Sequence, residues 1–128
     1  MLSYENLKVL VVDDIPTVRV TVRSLLYDIG MRNVVEAGDG FAALALLKRE
    51  KFDVVITDWN MPNLDGISLV RIIRGDPDLK DMVVLMVTAE AKKDQVLSAI
   101  KAGINDFIVK PFTCEDLQKK IGAALNKV

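Results

Sequence analysis

The chain has 128 residues, with 17 Lys plus Arg against 18 Asp plus Glu and a formal net charge of −1. That length suits one domain with a self-sufficient core, and the even balance offers no excess of positive charge for nucleic acid or an anionic membrane. The absence of histidine excludes Ser-His-Asp and Cys-His nucleophile activation, a histidine-rich zinc site and a phosphohistidine carried by this chain.

The first residues, Met1-Leu2-Ser3-Tyr4-Glu5-Asn6, carry no basic and apolar leader, and no later run reaches transmembrane length. Val9-Val12 is an apolar run of strand length that stops on Asp13 and Asp14. A helix is expected from Pro16, with Val18, Val22, Leu25, Leu26 and Ile29 on one face and Gly30 at its end. Val34-Val35-Glu36-Ala37 reads as a short second strand, Gly38-Asp39-Gly40 as a turn, and Ala43, Leu44 and Leu47 as the buried stripe of a second helix.

Phe52-Asp53 leads into a third strand, Val54-Thr57, which stops on Asp58. A loop marked by Pro62 and Gly66 precedes a third helix carrying Leu69, Ile72 and Ile73, which closes near Gly75-Asp76-Pro77. Val83-Val87 is a fourth strand ending on Thr88, and Val96, Ala99 and Ile100 form the stripe of a fourth helix before Gly103. Phe107-Val109 ends on Lys110, and Leu117, Ile121 and Leu125 repeat at four-residue spacing in a fifth helix. Cys114 is the sole cysteine, so no internal disulfide forms, which agrees with a reducing compartment. A soluble, cytoplasmic protein is expected.

Strands alternating with helices argue for βαβ units and a parallel α/β sheet. Right-handed crossovers leave few topologies, of which the known doubly wound, flavodoxin-like order 2-1-3-4-5 sets the first strand beside the third at the switch point. Asp13, Asp14 and Asp58 then become neighbours. Three close carboxylates repel and raise a pKa unless a cation offsets them. Mg²⁺ resolves that conflict, because it prefers oxygen ligands and usually keeps several waters. A single strand-end Asp is more simply a helix cap, but two with Asp58 opposite are not.

Asp58 is the candidate for covalent change. A carboxylate can attack phosphorus to give an acyl phosphate if a metal and fixed donors receive the charge on the transferring oxygens. Lys110 as a point charge and Thr88 as a hydroxyl donor suit that task. Each alone has a plainer reading, as a solvated lysine and a threonine chosen for β-propensity. Trp59 reads as an exposed amphipathic ring beside the carboxylate.

Val11-Val12-Asp13-Asp14, Thr57-Asp58-Trp59-Asn60-Met61-Pro62, Asp65-Gly66, Val87-Thr88-Ala89-Glu90-Ala91-Lys92-Lys93 and Val109-Lys110-Pro111-Phe112-Thr113 together resemble the receiver domains of two-component signalling. Within that family the resemblance is narrowest to single-domain chemotaxis regulators. It implies one receiver domain over 1–128 with no output domain, acting as a signalling protein that assists its own phosphorylation and autodephosphorylation.

By the resemblance, Asp58 is phosphorylated by a histidine kinase, and Asp14, Asp58 and the Asn60 carbonyl bind Mg²⁺, with Asp13 acting through a metal-bound water. Thr88 and Lys110 bind the phosphoryl group, Asn60 and Glu90 influence its lifetime, and Lys110-Pro111 matches the family's cis peptide. Phe107 stands where chemotaxis regulators usually carry Tyr, so a switch that fills the space vacated by Thr88 without a hydroxyl bond is expected. Ile15 and Asp106 also depart from the commonest residues.

The implied output face includes Lys92, Lys93, Phe107, Val109, Thr113 and Lys120. The implied partner is a flagellar motor switch protein, with a phosphatase as a further partner and the chain itself monomeric. The alternative within signalling is a stand-alone relay receiver that passes phosphate to a histidine phosphotransfer protein. Outside signalling, a phosphatase of the haloacid dehalogenase type would need a second Asp where Asn60 stands. A flavin-binding protein would need a phosphate-cradling loop where Asp13-Asp14-Ile15-Pro16 stands.

Overall fold

A computed structural model describes residues 4–89 and 91–126. Strands β1 (Lys8–Val12), β2 (Asn33–Ala37), β3 (Val54–Asp58), β4 (Val83–Thr88) and β5 (Asp106–Val109) form one parallel sheet in the order β2-β1-β3-β4-β5. This is the flavodoxin-like order expected from the alternation of elements. Helices α1 (Pro16–Ile29), α2 (Gly40–Arg49), α3 (Gly66–Gly75), α4 (Lys93–Ala102) and α5 (Cys114–Asn126) connect and close the strands, and a short 3-10 turn at Tyr4–Asn6 precedes β1.

Side chains alternate across the strands and so build two apolar layers. Leu10, Val12, Val55, Val84 and Met86 face the buried residues of α2, α3 and α4. Val9, Val11, Val54, Ile56 and Leu85 face Val22 and Leu26 of α1 with Leu117 and Ile121 of α5. Every residue of β4 is buried, as a central strand covered on both faces requires.

The helix ends follow local chemistry. Pro16 opens α1, and Gly30 closes it in the left-handed region at φ 104°. Gly40, assigned to a turn by the sequence, is instead the first residue of α2, because Asp39 caps the helix by accepting from the Ala42 N–H at 2.7 Å. Asp65 does the same for α3, accepting from the Ser68 N–H at 2.7 Å.

Two expected core positions are corrected. Ile72 is 41% exposed and Ile100 55% exposed. In α4 only Ala99 is buried, on a helix that packs beside α3. No helix among the described residues is long and apolar enough to cross a membrane.

Candidate functional site

The sheet brings the strand ends together by extending its hydrogen bonds one residue past each strand. The Asp13 N–H donates to the Ala37 carbonyl at 3.2 Å, the Trp59 N–H to Val87 at 3.2 Å, and the Lys110 N–H to Thr88 at 2.8 Å. Register pairs Asp58 with Val87 and Thr88 with Val109. Asp13, Asp58, Thr88 and Lys110 therefore stand at the carboxyl edge of the sheet, at its switch point between β1 and β3.

One carboxylate oxygen from each of Asp13, Asp14 and Asp58 lies within 4.8 Å of the others. Asp13 is buried, Asp58 half-buried and Asp14 exposed. The Lys110 Nζ sits 3.6 Å from Asp13 Oδ2 and 3.6 Å from Asp58 Oδ1. Burial pushes the Asp58 carboxyl above the ordinary range, and the Asp13 charge adds to the rise; Lys110 and the Trp59 N–H oppose it without cancelling it. A set of anionic oxygen donors held this close fits a hard divalent cation, which would relieve the repulsion at Asp58.

Neither acid caps α1 in the ordinary way. Its N-cap is Ile15, with no side-chain capping bond, although Asp13 Oδ1 accepts from the Ile15 N–H at 2.9 Å. Asp13 is thereby oriented by a backbone donor on one oxygen and by Lys110 on the other. Asp14 reaches the cluster from the solvent side.

The remaining expected residues are placed as follows. Thr88 is buried at the end of β4, and Asn60 is exposed two residues beyond Asp58. Trp59 corrects the expectation of an exposed ring, because it is partly buried against the core layer of α2 to α4. The Lys110-Pro111 bond is cis. Phe107 packs partly buried against that same layer, and Glu90 lies outside the described residues.

Two arrangements escaped the sequence. The Lys120 Nζ lies 5.4 Å from the centre of the Phe107 ring and 3.2 Å from Asp106 Oδ2, so the ring is covered by a cation that is itself paired with a carboxylate. Arg19 of α1 donates to the Asp13 carbonyl at 2.7 Å and to Glu36 at 3.0 Å. The only sequence signal was the four-residue spacing of Arg19 and Arg23, which sets both on one helical face.

A family model described as "Response regulator receiver domain" matches residues 9–122. "Chemotaxis protein CheY-3" of Vibrio cholerae is 51% identical over 117 residues, covering 91% of this chain and 90% of that protein. "Chemotaxis protein CheY" of Pseudomonas aeruginosa is 48% identical over 122 residues, covering 95% and 98%. Among solved structures, the chemotaxis protein CheY4 of Vibrio cholerae superposes with a TM-score of 0.86 at 36% identity, covering 92% of this chain and 98% of that one. A response regulator receiver domain protein from Clostridium thermocellum gives a TM-score of 0.84 at 32% identity, covering 94% and 95%.

Proposed function

This chain belongs to the response regulator receiver domain family, and we propose from that premise that it is a chemotaxis regulator switched by phosphorylation of Asp58. The carrying observation is the Asp13-Asp14-Asp58 cluster within 4.8 Å, with the Lys110 ammonium 3.6 Å from Asp58. A carboxylate with a raised proton affinity beside a fixed cation suits attack on phosphorus better than a role in folding, which its repulsion opposes.

In this reading a histidine kinase presents its phosphohistidine, an Asp58 oxygen forms the new O–P bond, and the P–N bond to the kinase imidazole breaks. Bound Mg²⁺ supplies neutralisation of charge on the phosphoryl oxygens. Asp14, Asp58 and the Asn60 carbonyl are its proposed protein ligands, with Asp13 acting through a water. Lys110 receives one phosphoryl oxygen and the Thr88 hydroxyl donates to another. Asn60 and Glu90 govern how water reaches the acyl phosphate, and a phosphatase partner shortens its life further.

The output is a change in affinity at the face of α4, β5 and α5. Leu97, Ile100 and Val109 are exposed there, and Phe107, Phe112, Lys119 and Lys120 help to line a cavity of about 230 Å³. An apolar surface edged with lysines suits a protein partner, for which the names of the relatives recommend a flagellar motor switch protein. Phosphorylation acts by giving that partner two forms of the face to distinguish. With relatives matched over 90% and 98% of their own lengths, we take the receiver to act as a single domain.

The test is incubation with acetyl phosphate and Mg²⁺. A phosphoryl adduct on Asp58 by mass spectrometry, a change in Trp59 fluorescence, and loss of both in Asp58→Asn are expected. Tighter pull-down of a motor switch peptide by the phosphorylated form completes the reading; transfer to a histidine phosphotransfer protein with no change in peptide binding would replace it with the relay role.

A further inference from the structure

The guanidinium of Arg19 is committed in two directions. Its Nη1 donates to the Asp13 main-chain carbonyl at 2.7 Å, and its Nε donates to Glu36 Oε1 at 3.0 Å. Glu36 lies in β2, where register sets it opposite Val11, and its other oxygen accepts from Arg23 Nη1 at 3.0 Å. The Arg19 side chain is 19% exposed and that of Glu36 24%, so both ends of the pair are held partly out of water. Arg23 binds the same Glu36 but is 43% exposed and has no bond to Asp13 among those described.

The backbone of Asp13 is consequently fixed on both sides. Its N–H is tied to Ala37 in the β2 edge, its carbonyl to Arg19, and its side chain receives the Ile15 N–H. The Asp13 carbonyl belongs to the peptide unit that leads into Asp14, the exposed member of the carboxylate cluster and the one for which no hydrogen bond to hold its side chain is described. The direction of that peptide decides where the Asp14 side chain starts.

We propose that Arg19, aimed by Glu36, is a positioning residue for the Asp13-Asp14 turn and thereby sets the affinity of the acidic cluster for a divalent cation. The inference rests on the reading of that cluster as a Mg²⁺ site and deepens it. Outer groups that orient metal ligands commonly change affinity by about tenfold or more when removed. Electrostatics alone acts in the opposite sense. Arg19 is a cation bonded to the main chain of Asp13, a member of the cluster, and deleting its charge should favour Mg²⁺ by lessening repulsion. The direction of the change therefore separates a positioning role from a field effect.

Mg²⁺ binding to the whole chain is measured by calorimetry and by Trp59 fluorescence, without any phosphodonor, in wild type, Arg19→Met, Arg19→Lys and Arg23→Met. Arg19→Met is expected to bind Mg²⁺ about tenfold more weakly, Arg19→Lys to recover part of that loss, and Arg23→Met to stay within twofold of wild type. The double variant Arg19→Met with Glu36→Gln leaves net charge unchanged and should bind as weakly as Arg19→Met. Thermal melts in chelator identify a general loss of structure; if Arg19→Met does not fold, Arg19→Lys and the double variant carry the comparison. Unchanged or tighter Mg²⁺ binding in the Arg19 variants, or equal weakening in Arg23→Met, would overturn the positioning role alone. A wild-type protein that fails to bind Mg²⁺ would overturn the metal reading and this inference together.

Discussion

Gly66 presses its backbone against Asp58: a Cβ built at Gly66 would lie 2.3 Å from the Asp58 carbonyl oxygen. The contact is reinforced by the Gly66 N–H donating to the Trp59 carbonyl at 2.9 Å. The first residue of α3 and the last of β3 are thus in direct backbone contact, and only a residue without a side chain permits it.

Gly66→Ala is therefore expected to destabilise the protein by about 3 kcal/mol, at the upper end of overpacking costs, because the obstructing atom is backbone and cannot rotate aside. The displaced carbonyl belongs to Asp58, so phosphorylation by acetyl phosphate should slow as well. Chemical denaturation and phosphorylation kinetics check the two effects. Gly75, where an added Cβ meets nothing within 4 Å, provides the contrast, and its alanine variant should be at least as stable as wild type.

Asp58 makes metal-free stability depend on pH. Its carboxyl titrates above the ordinary range, chiefly because of burial and then of Asp13. The folded state holds the proton more tightly than the unfolded one, so Asp58 contributes a loss of stability that grows as pH rises from about 4 through its folded pKa. Asp58→Asn should raise the melting temperature at neutral pH in chelator, with the advantage shrinking as pH falls through the folded pKa of Asp58 and lost by about pH 4. Mg²⁺ should raise the wild-type melting temperature and have a smaller effect on the variant. Melts against pH with and without Mg²⁺ decide it; a variant less stable than wild type at pH 7 would contradict the repulsion at this site.

Lys110 should oppose metal binding while serving the proposed phosphoryl transfer, since one ammonium stands 3.6 Å from both Asp13 and Asp58. Lys110→Met should tighten Mg²⁺ binding about fivefold, the equivalent of ~1 kcal/mol for a partly exposed charge pair, and weaken the response to acetyl phosphate. Salt should narrow the difference in Mg²⁺ affinity. Titrations at two ionic strengths, each followed by acetyl phosphate, would show both changes; weaker Mg²⁺ binding in the variant would remove Lys110 from this balance.

Much of the acidic cluster was legible because strand ends carry their chemistry in sequence: apolar runs that stop on Asp13, Asp58, Thr88 and Lys110 needed only a parallel order to converge. Crossover handedness narrows the strand order, and precedent for the doubly wound sheet completes it. What remained hidden depends on side chains that reach between elements. Arg19 and Glu36 lie on a helix and a neighbouring strand with no motif linking them, and their meeting depends on the angle at which α1 crosses the sheet. Trp59 is partly buried where its loop position suggests exposure, because such a position says nothing of the wall beside it. Ile72 and Ile100 fit the helical period, yet periodicity cannot report where a covering layer ends.

Phe107 occupies the place of the proposed aromatic switch. The ring is partly buried against the layer of α2 to α4, and the Lys120 ammonium lies 5.4 Å from its centre while bridging to Asp106. If Thr88 shifts toward a phosphoryl group on Asp58, as the proposed switch requires, space would open beside β4 that the Phe107 ring could fill by rotation about χ1, with no hydroxyl required. Lys120 would then lose its ring contact, worth about 0.5 to 1 kcal/mol at such an exposed site, and keep its carboxylate. Lys120→Met removes the contact from the resting state alone, so it should favour the inward ring and raise basal affinity for the motor switch peptide by about twofold to fivefold. Structures with and without a phosphoryl mimic give the direct check. A Phe107 rotamer and an α4 position that are the same in both would eliminate the space-filling switch, whatever the peptide affinity of the Lys120 variant.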